Sequence, residues 1–227
     1  MAPSFYAVDP KLVDGTPLTL HTPADDNPTS THQQQQQSSV VVIWRLVLPS
    51  TAQDKETLKV PLESHEVLTS LDALYPQLST KCSAGPSLER LQTCLADTDT
   101  FSLFLATEIT TFTADPITTD RTPSSPPAST LEISKILGAL TLVTLKLLMK
   151  SCAHIEDVVV DGTCRSRGLG KALMRRGLDE AVHTHGCIMV DLTSNPSRIE
   201  ARTLYQSLGF ELRDTGVFRY TAPNYRK

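Results

Sequence analysis

Apolar residues recur along this chain with two periods. The run at 40–48, Val-Val-Val-Ile-Trp-Arg-Leu-Val-Leu, is short, β-branched and nearly unbroken, the pattern of a strand covered on both faces. Comparable runs at 101–109, 136–147, 154–160 and 187–192 predict further strands, and a weaker one lies at 16–21. Spacing of three and four residues predicts helices over 64–78 and 86–96. A longer helix is expected from 168 to 185, with Leu169, Leu173, Met174, Leu178, Ala181 and Val182 as its buried stripe. Gly177 beside that stripe allows close packing, and Gly186 stands where a helix stops. Ser197 and Glu200 form a capping box for a last helix that Gly209 closes, before two strands at 210–214 and 216–222. Elements in this order predict an α/β protein with a mixed sheet of about seven strands and about four helices.

Two stretches break the pattern. Residues 22–39, with Pro23, Asp25-Asp26 and Pro28 followed by Gln33 to Gln37, cannot bury a core and read as a low-complexity insertion. Residues 113–130, rich in Thr and Pro, read as a long exposed loop. The expected organisation is therefore an N-terminal extension over 1–39 and one domain over 40–227. The net charge of −4 gives no global positive field for nucleic acid. The longest apolar run, 136–149, is interrupted by Lys146 and is too short to span a bilayer, so no membrane partner is expected. No signal peptide is visible, and the five cysteines make no disulfide framework. A reducing, cytoplasmic setting follows, with the nucleus left open. The histidines lack zinc-ligand spacing, so no metal is expected.

One turn carries the candidate chemistry. Asp161-Gly-Thr-Cys-Arg165-Ser166-Arg167-Gly168-Leu169-Gly170-Lys171 joins the strand at 154–160 to the helix at 168–185. Strand, glycine-rich turn and helix N-terminus together suit an anion: glycine lets the backbone approach, and free N–H groups and the helix dipole favour its charge. Arg165, Arg167 and Lys171 add three cations. The kinase-type phosphate loop would need glycine at 165 and a hydroxyl at 172, where Arg165 and Ala172 stand. The dinucleotide fingerprint would need glycine at 173, where Leu173 stands.

Arg-x-x-Gly-x-Gly at Arg165, Gly168 and Gly170 resembles the acetyl-coenzyme A pyrophosphate loop of the GNAT superfamily of N-acetyltransferases. The preceding His154-Ile-Glu156-Asp157-Val-Val-Val and the downstream Ala201, Leu204-Tyr205 and Leu208-Gly209-Phe210 are similar to that family's segments, in the same order. The likeness is dense over 154–220, patternwise over about 40–150, and absent from 1–39. It implies a mostly antiparallel sheet and acetyl-CoA as acetyl donor. It also implies cofactor contacts from Val158, Val159, Val160, Arg165, Ser166, Arg167, Gly168, Leu169, Gly170, Lys171 and Tyr205. The family strand splays from its neighbour, so a backbone N–H of 156–160 can polarise the thioester carbonyl. Tyr205 matches the tyrosine whose hydroxyl lies near the cofactor sulfur. Where many relatives carry asparagine seven residues before that tyrosine, this chain has Arg198, with Asn195 three residues earlier, and either is the expected contact.

Three groups compete for the base. His154 and Glu156 share a strand face by period two, and Asp157 takes the other face unless a bulge intervenes. Glu156 is the first choice, with Asp157 and His154 as alternatives. The reading is an N-acetyltransferase acting on a small primary amine, with a homodimer left open. The alternatives are a protein lysine or N-terminal acetyltransferase, a glucosamine 6-phosphate N-acetyltransferase, and a non-catalytic acyl-CoA-binding module. The segment between Asp191 and Tyr205 is longer than in the glucosamine-phosphate branch, although that branch carries a similar Glu-Asp pair.

Overall fold

The strand-forming runs assemble into one eight-stranded sheet. The computed structural model describes residues 4–11, 18–20, 39–48, 60–79, 82–112 and 130–223. The strands are β1 (Ser4–Lys11), β2 (Leu18–Leu20), β3 (Ser39–Val47), β4 (Val60–Glu63), β5 (Phe101–Phe112), β6 (Thr130–Lys146), β7 (Ser151–Val160) and β8 (Val190–Leu192). Their order is β4-β1-β3-β5-β6-β7-β8, with β2 also pairing β3. Every pairing is antiparallel except β7 with β8. The helices are α1 (Ser64–Leu74), α2 (Leu88–Ala96), α3 (Leu169–Asp179) and α4 (Ile199–Ser207). The expected mixed α/β architecture is therefore present. The chain divides into two units, Met1–Thr193 and Ser194–Lys227.

Alternation along the strands covers both faces of the sheet. Trp44, Leu46, Leu103, Leu105, Ile136 and Val159 pack with Val67, Leu71 and Leu74 of α1 and with Leu91 and Leu95 of α2. Trp44 is buried because its one polar atom is satisfied: Nε1 donates to Thr107 Oγ1 at 2.8 Å. The opposite face receives α3. A Cβ added to Gly177 would lie 3.0 Å from Leu140 Cδ2 and 3.7 Å from Ile155 Cδ1, so the missing side chain lets α3 approach β6 and β7. Arg176 is buried on this face, where it donates to Glu180 Oε2 at 2.9 Å and stacks 4.8 Å from the centroid of the Phe104 ring. Arg45 reaches the other carboxylate oxygen of Glu180 at 3.2 Å. The buried cation is thus both paired and covered by an aromatic face.

Four expectations change. The segment before residue 40 is not all extension, since β1 lies between β4 and β3 with Phe5 and Ala7 fully buried. The helix expected to reach 185 turns into a π-helical stretch at Glu180–Thr184. The wider turn rotates the apolar phase, so Ala181 stays buried while Val182 is exposed. The apolar run at 187–192 is not a buried strand: only Val190–Leu192 pair, and Ile188 is 71% exposed. The strands expected at 210–214 and 216–222 are absent among the described residues, and Leu212, Val217, Phe218 and Tyr220 are exposed. Apolar alternation makes a strand only where an edge accepts its hydrogen bonds. The glutamine-rich stretch and the Thr/Pro-rich loop lie outside the described residues, apart from the strand ends at 39 and 130.

Candidate active site

The site grows from a defect in β7. Ala139 pairs with Val159 and Thr141 pairs with Glu156, so Asp157 and Val158 together oppose Leu140. This is a β-bulge, and Asp157 sits at φ 51, in the left-handed region. Asp is one of the few residues that tolerate that backbone, which accounts for its presence there. The bulge resets the alternation. Ile155 and Val159 are buried, and Glu156 and Asp157 lie between them at the bulge.

His154 and Glu156 do share a face, with Nδ1 3.4 Å from Oε1. Glu156 is the cross-strand partner of Thr141, whose hydroxyl bonds to the phenol of Tyr75. Tyr75 begins a 3-10 turn, Tyr75–Gln77, that follows α1. Burial, and next the charge of Asp157, push its phenol up to about 12, so it stays protonated at neutral pH. The Asp157 carboxyl is raised above the usual carboxylate range by burial first and by the charge of Glu156 second. Two adjacent carboxylates with one raised value make a candidate proton acceptor. Sequence reading missed Tyr75 and Thr141. Pro76 was the available signal, because proline ends a helix expected to continue to 78.

The edge of β7 that faces β8 is paired only as far as Ile155, opposite Leu192. Beyond that point 156–160 have no strand partner on this edge among the described residues. β8 itself ends at Leu192, so the edge is left open by the length of its neighbour. An extended chain could add to this edge through those main-chain groups of Val158–Val160 that point away from β6.

β7 leads directly into the anion turn. Asp161 Oδ1 accepts from the Thr163 N–H at 2.9 Å and from its hydroxyl at 2.6 Å, closing the turn Gly162–Cys164. Those bonds hold the Asp161 carboxyl below its ordinary value, so it stays ionised and structural. Arg165 Nε donates back to Val160 O at 3.3 Å. Ser166 has φ 61 and Gly168 has φ 84, which turn the chain sharply into α3. Gly168 is the N-cap of α3 and no side chain caps that end. The first N–H groups of the helix, from Leu169, Gly170 and Lys171, are thus left for another acceptor. Arg165, Ser166 and Arg167 are exposed beside them, Lys171 is half-buried, and the Leu169 side chain is buried. Leu169 therefore contributes backbone, while its side chain anchors the helix. An uncapped N-terminus beside three cations fits a diphosphate such as that of coenzyme A.

The remaining predicted residues belong to the unit Ser194–Lys227. The capping box does not form. Asn195 Oδ1 accepts from both the N–H and the hydroxyl of Ser197, at 2.9 Å each, which engages the serine otherwise. Arg198 becomes the N-cap of α4, without a side-chain cap. Asn195 is thus engaged in its own turn. Tyr205 is buried and packs edge-on to Phe210, with ring centroids 6.1 Å apart. Burial raises its pKa, against an opposing pull from Arg198, so its hydroxyl keeps its proton at neutral pH. Among the described residues no group of His, Cys, Asp and Glu could hold a metal ion, and no helix is long and apolar enough to cross a membrane.

Comparison with known proteins follows the same outline. Residues 97–210 match the model of the Acetyltransferase (GNAT) family. The chain is 46% identical over 57 residues to a probable glucosamine 6-phosphate N-acetyltransferase 2 of Oryza sativa subsp. japonica, covering 25% of this chain and 32% of that protein. It is 40% identical over 65 residues to the glucosamine 6-phosphate N-acetyltransferase of Trypanosoma brucei brucei, covering 29% of this chain and 42% of that protein. The chain thus spans less than half the length of these curated relatives. An aminoglycoside acetyltransferase from an uncultured soil metagenomic sample shares the fold, with a TM-score of 0.54 at 19% identity over 80% of this chain and 95% of that one. The family match takes in β5 to α4, including the bulged strand and the anion turn, and the chain belongs to the GNAT acetyltransferase family.

Proposed function

We propose that the chain transfers the acetyl group of acetyl-CoA to a primary amine, most simply that of a small molecule. The observation that carries this reading is the continuity of β7: an open edge at 156–160 runs into the uncapped N-terminus of α3, with an acidic pair at the bulge between. Bound acetyl-CoA supplies an acetyl thioester as electrophile. The N–H groups of Gly168 to Lys171, with Arg165, Arg167 and Lys171, hold its diphosphate. A backbone N–H of 158–160 stabilises the negative charge that develops on the carbonyl oxygen. Glu156 or Asp157 accepts the proton of the ammonium. Tyr205 serves as the acid that protonates the departing thiolate.

A second reading, an amino-sugar phosphate acceptor, is favoured by the names of the curated relatives. Location in the cytoplasm and a homodimeric state belong to the same proposal and are checked by fractionation and light scattering. The test of function is thiol release from acetyl-CoA across an amine panel that includes glucosamine 6-phosphate and lysine peptides. Amine-dependent release with a product heavier by one acetyl group is expected. Failure to bind coenzyme A by calorimetry would overturn the reading, and tight binding without turnover on any amine would favour a binding module.

A further inference from the structure

Gln77 is exposed, yet both ends of its amide are engaged. Its Oε1 accepts the Gly162 N–H at 2.9 Å, across 85 residues of sequence. Its Nε2 donates to Ala73 O at 3.1 Å, one of the carbonyls left over at the end of α1. The orientation of the amide is fixed, because a backbone N–H requires an acceptor opposite it. Gly162 opens the turn that carries the chain from β7 into the anion loop. The other bonds of that turn come from the sheet, Asp161 N to Leu137 O at 2.8 Å, and from the turn itself, Cys164 N to Asp161 O at 2.8 Å. The Gln77 bond ties it to a different element, the Tyr75–Gln77 turn. That same turn places the Tyr75 phenol against Thr141 and within reach of the charge on Asp157.

We infer that Gln77 is a positioning residue for the donor loop: through Gly162 it sets the loop in register with the turn that stands over the acidic bulge. The inference rests on the proposed binding of acetyl-CoA. It implies that the helix side of the site, not the sheet alone, determines how well the loop is preorganised.

The experiment titrates coenzyme A by calorimetry into the wild-type chain, Gln77→Met and Gln77→Glu, and records thermal unfolding of each without ligand. Methionine keeps the length of the side chain and loses the acceptor, so the dissociation constant should rise roughly three- to tenfold, the equivalent of one net hydrogen bond. Glutamate keeps an acceptor for the Gly162 N–H but gives up the donor to Ala73 O, so its dissociation constant should fall between those of wild type and Gln77→Met at roughly 0.5 M salt, where an added exposed charge is screened within a few ångströms. With any amine that turns over, the Michaelis constant for acetyl-CoA should rise in Gln77→Met while kcat holds, since loop contacts act alike in ground and transition states. Equal affinity of wild type and Gln77→Met would overturn the inference, as would a lowered melting temperature with unchanged affinity, which marks a purely structural bond. Equal loss in both variants would overturn it too. A wild-type chain that binds no coenzyme A would instead remove the proposed function.

Discussion

Asp157 holds two costs at one residue, and a substitution series separates them. Its φ of 51 lies where an ordinary L-residue is disfavoured by roughly 1–2 kcal/mol, while glycine is free of that penalty and asparagine tolerates it well. Its carboxyl is raised by burial and by Glu156, which means that the native state resists its charge. A raised carboxylate costs stability above its native pKa. The cost fades as pH falls through that value and is gone below the ordinary 3.8, where the unfolded chain is protonated as well. Asp157→Asn removes the charge and keeps a residue suited to the backbone, so it should be as stable as wild type or more so at pH 7, with the advantage vanishing in acid. Asp157→Ala also removes the charge but adds the left-handed penalty, and should melt about 2–4 °C below Asp157→Gly for each kcal/mol of that penalty. Turnover should fall in all three if the carboxyl takes the proton. Thermal melts at pH 7 and pH 3.5 with acetyl-CoA kinetics decide the matter. An Asp157→Asn chain clearly less stable than wild type at pH 7, or alanine and glycine variants that melt together, would refute the strained-bulge argument.

Gly138→Ala should be severe and Gly177→Ala mild. The first would put a Cβ 2.8 Å from Val159 O, backbone that cannot step aside, and should cost roughly 2–3 kcal/mol in denaturant melts. The second meets a Leu140 methyl at 3.0 Å that can rotate away, and the better helix propensity of alanine offsets much of the crowding. Gly168→Asp should weaken acetyl-CoA binding by at least about tenfold, because a like charge would stand beside the bound diphosphate; calorimetry on a folded variant that shows unchanged affinity would make the loop a packing turn. Tyr205→Phe should lower kcat by roughly 10²–10⁴-fold with little change in the Michaelis constant for acetyl-CoA, as expected for loss of a general acid. Full activity in that variant, where chemistry limits the rate, would reduce Tyr205 to a ring packed on Phe210.

What the sequence discloses depends on how local the physics is. The anion turn was legible because its glycines and cations are consecutive, and Gly168 at φ 84 answers to a local rule. The pairing of His154 with Glu156 followed from the period of a strand. The bulge at Asp157 was not legible, since it arises from how β7 counts against β6, a partner read separately. Tyr75 and Gln77 were missed for the same reason: they meet Thr141 and Gly162 across the fold, and nothing in their own segment announces those contacts. The misplaced cap of α4 shows the opposite error. Ser197 and Glu200 have the right spacing, but Asn195, two residues before the serine, competes for it and wins.

The place of β1 in the sheet bears on how the protein is made and handled. Phe5 and Ala7 are made before the strands they pair with, which end at Val47 and Glu63. At the usual ~5–20 residues per second, the β1 segment waits roughly 3–12 s on the ribosome before β4 has been added. During that interval its apolar side chains lack the partners that cover them in the folded sheet, which makes the β1 segment a natural client for a holding chaperone. The same placement defeats trimming to the family-matching segment. A chain cut to 97–210 would lack β1 to β4, α1 and α2, leaving β5 as a long bare edge and Leu103 and Leu105 without their cover. Such a fragment should aggregate rather than fold, and a bulky tag fused directly before Ser4 should lower the soluble yield.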